Sequence, residues 1–147
     1  MNGGNIMPKK SQPPKDTLYF HYYNANSHGH ITTDCVIRAI STVMEQPWEV
    51  TYDDLVDLGR KYGRLPNDRV IMNKYLVKNG FVKMKEPRNL DNRKYRVCEY
   101  VKDINDSLTA IASLGNQHVA AIVDGVVYDT WNSSNEVLHT YYVKKEE

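Results

Sequence analysis

A thiol, an imidazole and a carboxylate are the residues of this 147-residue chain whose order suits covalent catalysis: Cys35, His118 and Asp129. Cys35 lies in the segment Ile31-Thr32-Thr33-Asp34-Cys35-Val36-Ile37-Arg38-Ala39-Ile40, where a polar loop gives way to an apolar pattern of helical period. That spacing puts the thiol in the first turn of a helix. Free backbone N–H groups and the helix dipole favour an anion there, so the sulfur is a candidate nucleophile. The bland alternative is a small buried hydrophobe, the commonest fate of a cysteine. Two partners downstream favour chemistry, because an imidazole takes up the thiol proton and a carboxylate orients the imidazole.

The geometry linking His118 to Asp129 is readable from the chain itself. His118-Val-Ala-Ala-Ile-Val123 and Val126-Val-Tyr-Asp-Thr-Trp131 flank Asp124-Gly125, a pair that favours a two-residue type I′ hairpin. In that register Val123 faces Val126, Ala120 faces Asp129 and His118 faces Trp131. Residues opposite one another or two apart share a face, so His118, Ala120, Asp129 and Trp131 project together. His118 and Asp129 are then diagonal neighbours, ~7–8 Å apart at the backbone and within side-chain reach. The expected role of Asp129 is to hold the ring through its Nδ1–H. Asn132 points to the other face, and a one-residue slip would exchange the two. The candidate oxyanion donors are the backbone N–H of Cys35 and a side-chain amide of Asn24 or Asn26, and Trp131 is expected to wall the substrate cleft.

The elements that must position these residues follow from periodicity and punctuation. Residues 1–16 are poor in apolar side chains and predict a disordered tail, with one domain over 17–147. The run 18–23 predicts an extended segment and 24–33 a polar loop. A helix is expected from about Asp34 to Glu45, capped by Thr33 and stopped by Pro47. A second is expected with Thr51 as its cap and Gly63 as its end, and a third from near Pro66 to Asn79-Gly80. Beyond Gly80 the texture becomes strand-like: 81–84, 95–98, the hairpin and 137–143, with a helical turn at 101–106 and an ambiguous stretch at 108–114. Helices first and an antiparallel sheet second is an α+β arrangement.

Composition excludes several classes. The net charge is +1 with 25% charged residues, which lacks the basic footprint of a nucleic-acid binder. Two cysteines, Cys35 and Cys98, make no disulfide framework and suggest a reducing compartment, with Cys98 structural. No apolar run approaches the ~20 residues of a membrane span, and the polar N-terminus is unlike a signal peptide, so a cytoplasmic protein with no membrane partner is expected. The spacing His28-x-His30-x4-Cys35 fits no common zinc site, and neither metal nor cofactor is expected. The eleven tyrosines are spread along the whole chain and suit half-buried strands better than a ligand cage.

A Cys opening the first long helix, a His opening a late strand and an Asp on the next strand resemble the papain-like cysteine peptidases. Asp34-Cys35 and His118-Val-Ala-Ala-Ile-Val resemble elements of its compact bacterial forms, such as bacteriocin-leader peptidases and cell-wall amidases. The pattern YFHYYNAN…TTDCVIRAIS…HVAAIVDGVVYDTWN also resembles small phage and prophage proteins of Gram-positive bacteria. The resemblance spans about residues 18–143 and implies a papain-like fold and a Cys-His-Asp thiol hydrolase acting on amide, peptide or related acyl bonds in a host cytoplasm. Such enzymes usually carry an oxyanion Gln about six residues before the Cys; here Gly29 stands there, and the Asn residues substitute. Asp34 beside Cys35 opposes a thiolate unless its charge is engaged at the helix start. The alternative is a non-catalytic binding module on the same scaffold, holding a host defence protein or a signalling nucleotide.

Overall fold

The structure, a computed structural model, describes residues 12–146. In chain order the elements are β1 (Phe20–Tyr22), α1 (Cys35–Met44), α2 (Trp48–Tyr62), α3 (Arg69–Lys78), β2 (Phe81–Met84), α4 (Val97–Asp103), β3 (Ala110–Leu114), β4 (His118–Val123), β5 (Val126–Asp129) and β6 (Leu138–Lys144). Three helices precede most of the strands, and the strands form one sheet in the order β1-β5-β4-β3-β6-β2. The fold is α+β. The expected tail falls on residues 1–11, outside the described residues, and on 12–16, which are exposed and irregular; Asp16 already accepts a hydrogen bond from the Tyr22 N–H at 2.9 Å.

The sheet divides the core in two because its side chains alternate. Val119 and Ala121 of β4, Ile111 of β3 and Tyr142 of β6 pack with the buried stripe Val36, Ile37, Ala39 and Ile40 of α1 and with Leu55, Ile71 and Leu76 of α2 and α3. Ala120 and Ile122 of β4, with Val127, Leu138 and Tyr141, pack instead with Val97, Tyr100 and Val101 of α4. The hairpin register is the expected one, with Val123 opposite Val126 and Ala121 opposite Tyr128. Its turn has φ of 48° at Asp124 and 79° at Gly125, the two positive angles a type I′ turn requires.

Several boundaries differ from expectation. Asp34, not Thr33, precedes the first helical residue, and its side chain caps nothing. The second helix starts at Trp48 after Pro47, which supplies a ready-made φ of −56°. Thr51 is therefore inside it, buried, accepting hydrogen bonds from Ser41 Oγ and Gln46 Nε2, each at 2.8 Å, and so locking α2 to α1. The third helix begins at Arg69 because Asp68 caps it, accepting from the Val70 N–H at 2.7 Å. The expected strand over 95–98 is the entry to α4, where Glu99 reaches back to the Arg96 N–H at 2.8 Å. The stretch 108–114 resolves as β3 from Ala110 onward, and the second hairpin strand ends at Asp129 rather than Trp131. The sheet is also not wholly antiparallel: β1 runs parallel to β5, with Tyr22 beside Asp129.

Candidate active site

Cys35 is the first residue of α1, and its sulfur meets the start of β4. It is half-buried and lines one cleft with His118. Burial pushes its thiol up, but the His118 ring, the backbone N–H of Val119 and the charge of Arg69 outweigh that and hold it below the ordinary value of 9.0. Donors and positive charge beside the sulfur favour the thiolate, because the neutral thiol gains less from them.

His118 is clamped by Asp129, its Nε2 lying 2.6 Å from Asp129 Oδ2. The expected contact was through Nδ1; at the very start of β4 the ring instead turns Nε2 inward to the carboxylate. With Nε2 engaged by Asp129, Nδ1 is the ring nitrogen left over. Burial pulls the imidazole down, yet the hydrogen bonds and charges of Asp129 and Cys35 prevail and push it up to about 9. A lowered thiol and a raised imidazole are the directions in which a thiolate–imidazolium pair shifts its two members. Trp131 lies against the ring, with centroids 4.8 Å apart, and lines the cleft as expected.

Asp129 is fully buried and saturated by four donors. Oδ2 accepts from His118 and from Ser133 Oγ at 2.6 Å, and Oδ1 accepts from the Thr130 N–H at 2.8 Å and from Arg38 Nη1 at 3.0 Å. Burial raises its pKa, but His118, Ser133 and Arg38 hold it below 3.8. Asn132 plays no such part: its Oδ1 accepts from the N–H and hydroxyl of Ser134 and makes a local turn.

Arg38 is the residue that sequence reasoning missed. It projects from the buried face of α1 and joins two carboxylates, Asp129 and Asp34, the latter through Nε at 2.8 Å. Burial works against its charge, and the two carboxylates more than offset that. Asp34 also accepts from Asn26 Nδ2 at 3.1 Å and Trp48 Nε1 at 3.0 Å. Its negative charge is thus engaged, and it does not stand unopposed beside the thiolate. The signal was an arginine among apolar helix positions, four residues after an aspartate, a spacing that places the two on one helix face.

The expected oxyanion amides are elsewhere. Asn24 donates to the His30 carbonyl at 3.1 Å, and Asn26 is buried, donating to Asp34 and accepting from the His28 N–H at 2.9 Å. Both shape the loop before α1, and neither lines the thiol cleft. The cleft, about 680 Å³, is walled by Thr33, Arg69, Gln117 and Trp131 around Cys35 and His118. A second cavity of about 420 Å³ adjoins it across Thr32, Thr33 and Asn67 and is lined by Trp48, Tyr52, His28 and His30. The two histidines face that cavity, stacked 6.0 Å apart, and do not join Cys35.

Among the described residues no helix is long and apolar enough to cross a membrane. Comparison with protein-family models, with curated proteins and with solved structures returned no match.

Proposed function

We propose that the chain is a papain-like thiol hydrolase that cleaves an amide or related acyl bond through Cys35, His118 and Asp129. The observation that carries this reading is Cys35 in one cleft with His118, whose ring is clamped at 2.6 Å by the buried Asp129 carboxylate. The Cys35 thiolate attacks the substrate carbonyl, forming a C–S bond and a tetrahedral oxyanion. The backbone N–H of Cys35, free of an intrahelical partner at the helix start, is the oxyanion donor in this reading. The oxyanion collapses, the C–N bond breaks, and the departing amine takes the His118 proton. Water then gives a proton to His118 and attacks the thioester; the C–S bond breaks, releasing the acid and restoring the thiolate–imidazolium pair. Asp129 keeps the ring aligned through both halves, and Arg38 keeps Asp129 ionised and in place.

The test uses an activated acyl donor, p-nitrophenyl acetate, with intact-mass detection. The expected result is a burst of nitrophenol equal to the protein concentration and an acetyl adduct on Cys35, both lost in His118→Ala. Acetylation of Cys35 no faster than of Cys98 would overturn the reading and leave the non-catalytic binding module as the better account.

A further inference from the structure

We propose that Arg69 anchors a carboxylate of the substrate in the thiol cleft, so that the acyl substrates of this protein are acidic beside the bond that is cut. The inference rests on the thiol-hydrolase reading and adds its substrate class.

Arg69 and Arg38 both line the cleft, and the contrast between them is the starting point. Arg38 is neutralised by Asp34 and Asp129. Arg69 has no carboxylate within ion-pair distance among the described residues. Its near neighbour Asp68 is spent on the Val70 N–H and on Arg64, at 2.7 and 3.0 Å. One guanidinium nitrogen, Nη2, donates to the Gln117 carbonyl at 2.5 Å, which ties the side chain to the residue before His118. The other, Nη1, is buried with no hydrogen-bond partner. A buried unpaired guanidinium N–H is costly and rare in a native fold.

A guanidinium tied down by a backbone carbonyl and left without a carboxylate partner is a ready counter-charge for an anion in the cleft. Arg69 lines the same cleft as Cys35 and His118. A carboxylate bound in the cleft neutralises Arg69, the cleft-lining arginine with no carboxylate partner among the described residues. Two sources offer that group: an aspartate or glutamate side chain next to the scissile bond, or a chain-terminal carboxylate.

The experiment is competitive alkylation of the full-length protein, read at Cys35 and Cys98 by peptide mass spectrometry. Iodoacetate and iodoacetamide react alike, the thiolate sulfur displacing iodide, but only the first carries a carboxylate. The iodoacetate-to-iodoacetamide rate ratio at Cys35 is expected to exceed that at Cys98 by about tenfold, as for a charge-assisted bidentate contact. Arg69→Gln should remove most of that excess while His118 stays in place, and Arg69→Lys should keep part of it. Bromoacetyl-Asp-amide and bromoacetyl-Ala with a free carboxylate, each compared with bromoacetyl-Ala-amide, assign the source: whichever acidic probe is accelerated over the neutral one names it. A wild-type ratio at Cys35 equal to that of Arg69→Gln, or no acceleration by either acidic probe, overturns the proposal. Loss of thiol activation is a different result, since it slows iodoacetamide and iodoacetate together and leaves the ratio intact.

Discussion

Both thiols of the chain sit in the first turn of a helix: Cys35 opens α1, and Cys98 is the second residue of α4. Both are half-buried and neither is in a disulfide. Helix position and exposure therefore do not distinguish them. Their partners do. The Cys98 sulfur faces one neutral acceptor, Asn135 Oδ1, at 3.6 Å. Cys35 faces the ring of His118, which is itself clamped by a buried carboxylate, and a backbone N–H of β4. A helix terminus lends a thiol a fraction of a charge, whereas an imidazolium brings a whole one in hydrogen-bond contact. Reactivity is thus expected to come from the β4–β5 hairpin rather than from α1.

The largest effect that breaks this contrast is His118→Ala. At pH 6 a thiol of ordinary pKa is ionised in well under ~1% of molecules, so removing the imidazole should slow Cys35 alkylation by iodoacetamide about 100-fold, to the rate of Cys98. The pH profile carries the sign. Cys35 should label well below the ordinary thiol range. Acyl transfer should fail again above about 9, where His118 loses the proton it gives to the leaving group. A Cys35 profile that superimposes on that of Cys98 in the wild-type protein removes the ion pair.

Asp129→Asn is next. Every lone pair of Asp129 faces a donor, so an amide must turn its N–H₂ against either His118 and Ser133 or Arg38 and Thr130. Loss of a charge-assisted buried network should cost about 2–3 kcal/mol in denaturant unfolding and slow Cys35 alkylation about tenfold. Because the folded Asp129 titrates below 3.8, its contribution is whole above that pH and drains away as pH falls through the lowered value. The stability gap between wild type and Asp129→Asn should accordingly be constant near neutrality and close in strong acid. A gap that instead widens in acid would mean that Asp129 is not the buried anion of the network.

How far the site was legible depends on the range of each interaction. Asp124-Gly125 fixes its own turn, and alternation then assigns His118 and Asp129 to one face, so this half of the site is local and was readable. The placement of Cys35 at the helix start was readable for the same reason, from the change in pattern after Thr33. Arg38 was not, because its partner Asp129 lies 91 residues away and only packing brings them together. The choice of Nε2 over Nδ1 depends on how one ring turns at a strand end. The parallel pairing of β1 with β5 is likewise a long-range choice with no local signal. Residues 95–98 differ for another reason: the β-branched and aromatic composition suits a strand, whereas Val97, Tyr100 and Val101 have helical spacing and Arg96 is not a residue type that signals a helix cap.

Two smaller changes sharpen the contrast between the thiols. Trp131 covers the His118 ring while remaining 39% exposed, so it screens one side of the ion pair from water without burying it. Trp131→Ala should strengthen solvent screening of the pair and slow Cys35 alkylation by only about threefold, since a partly exposed contact contributes a fraction of a buried one. An effect as large as that of His118→Ala would mean that the tryptophan, not the carboxylate, sets the ring. Cys98→Ser is the smallest. The serine hydroxyl can keep the contact with Asn135, at a half-buried site, so stability should change by less than about 0.5 kcal/mol. Alkylation of Cys35 in that variant should be unchanged. If Cys98→Ser slowed Cys35, the two sulfurs would share a path through β3 and β4, and the separation of the two helix-terminal thiols into one reactive and one structural would fail.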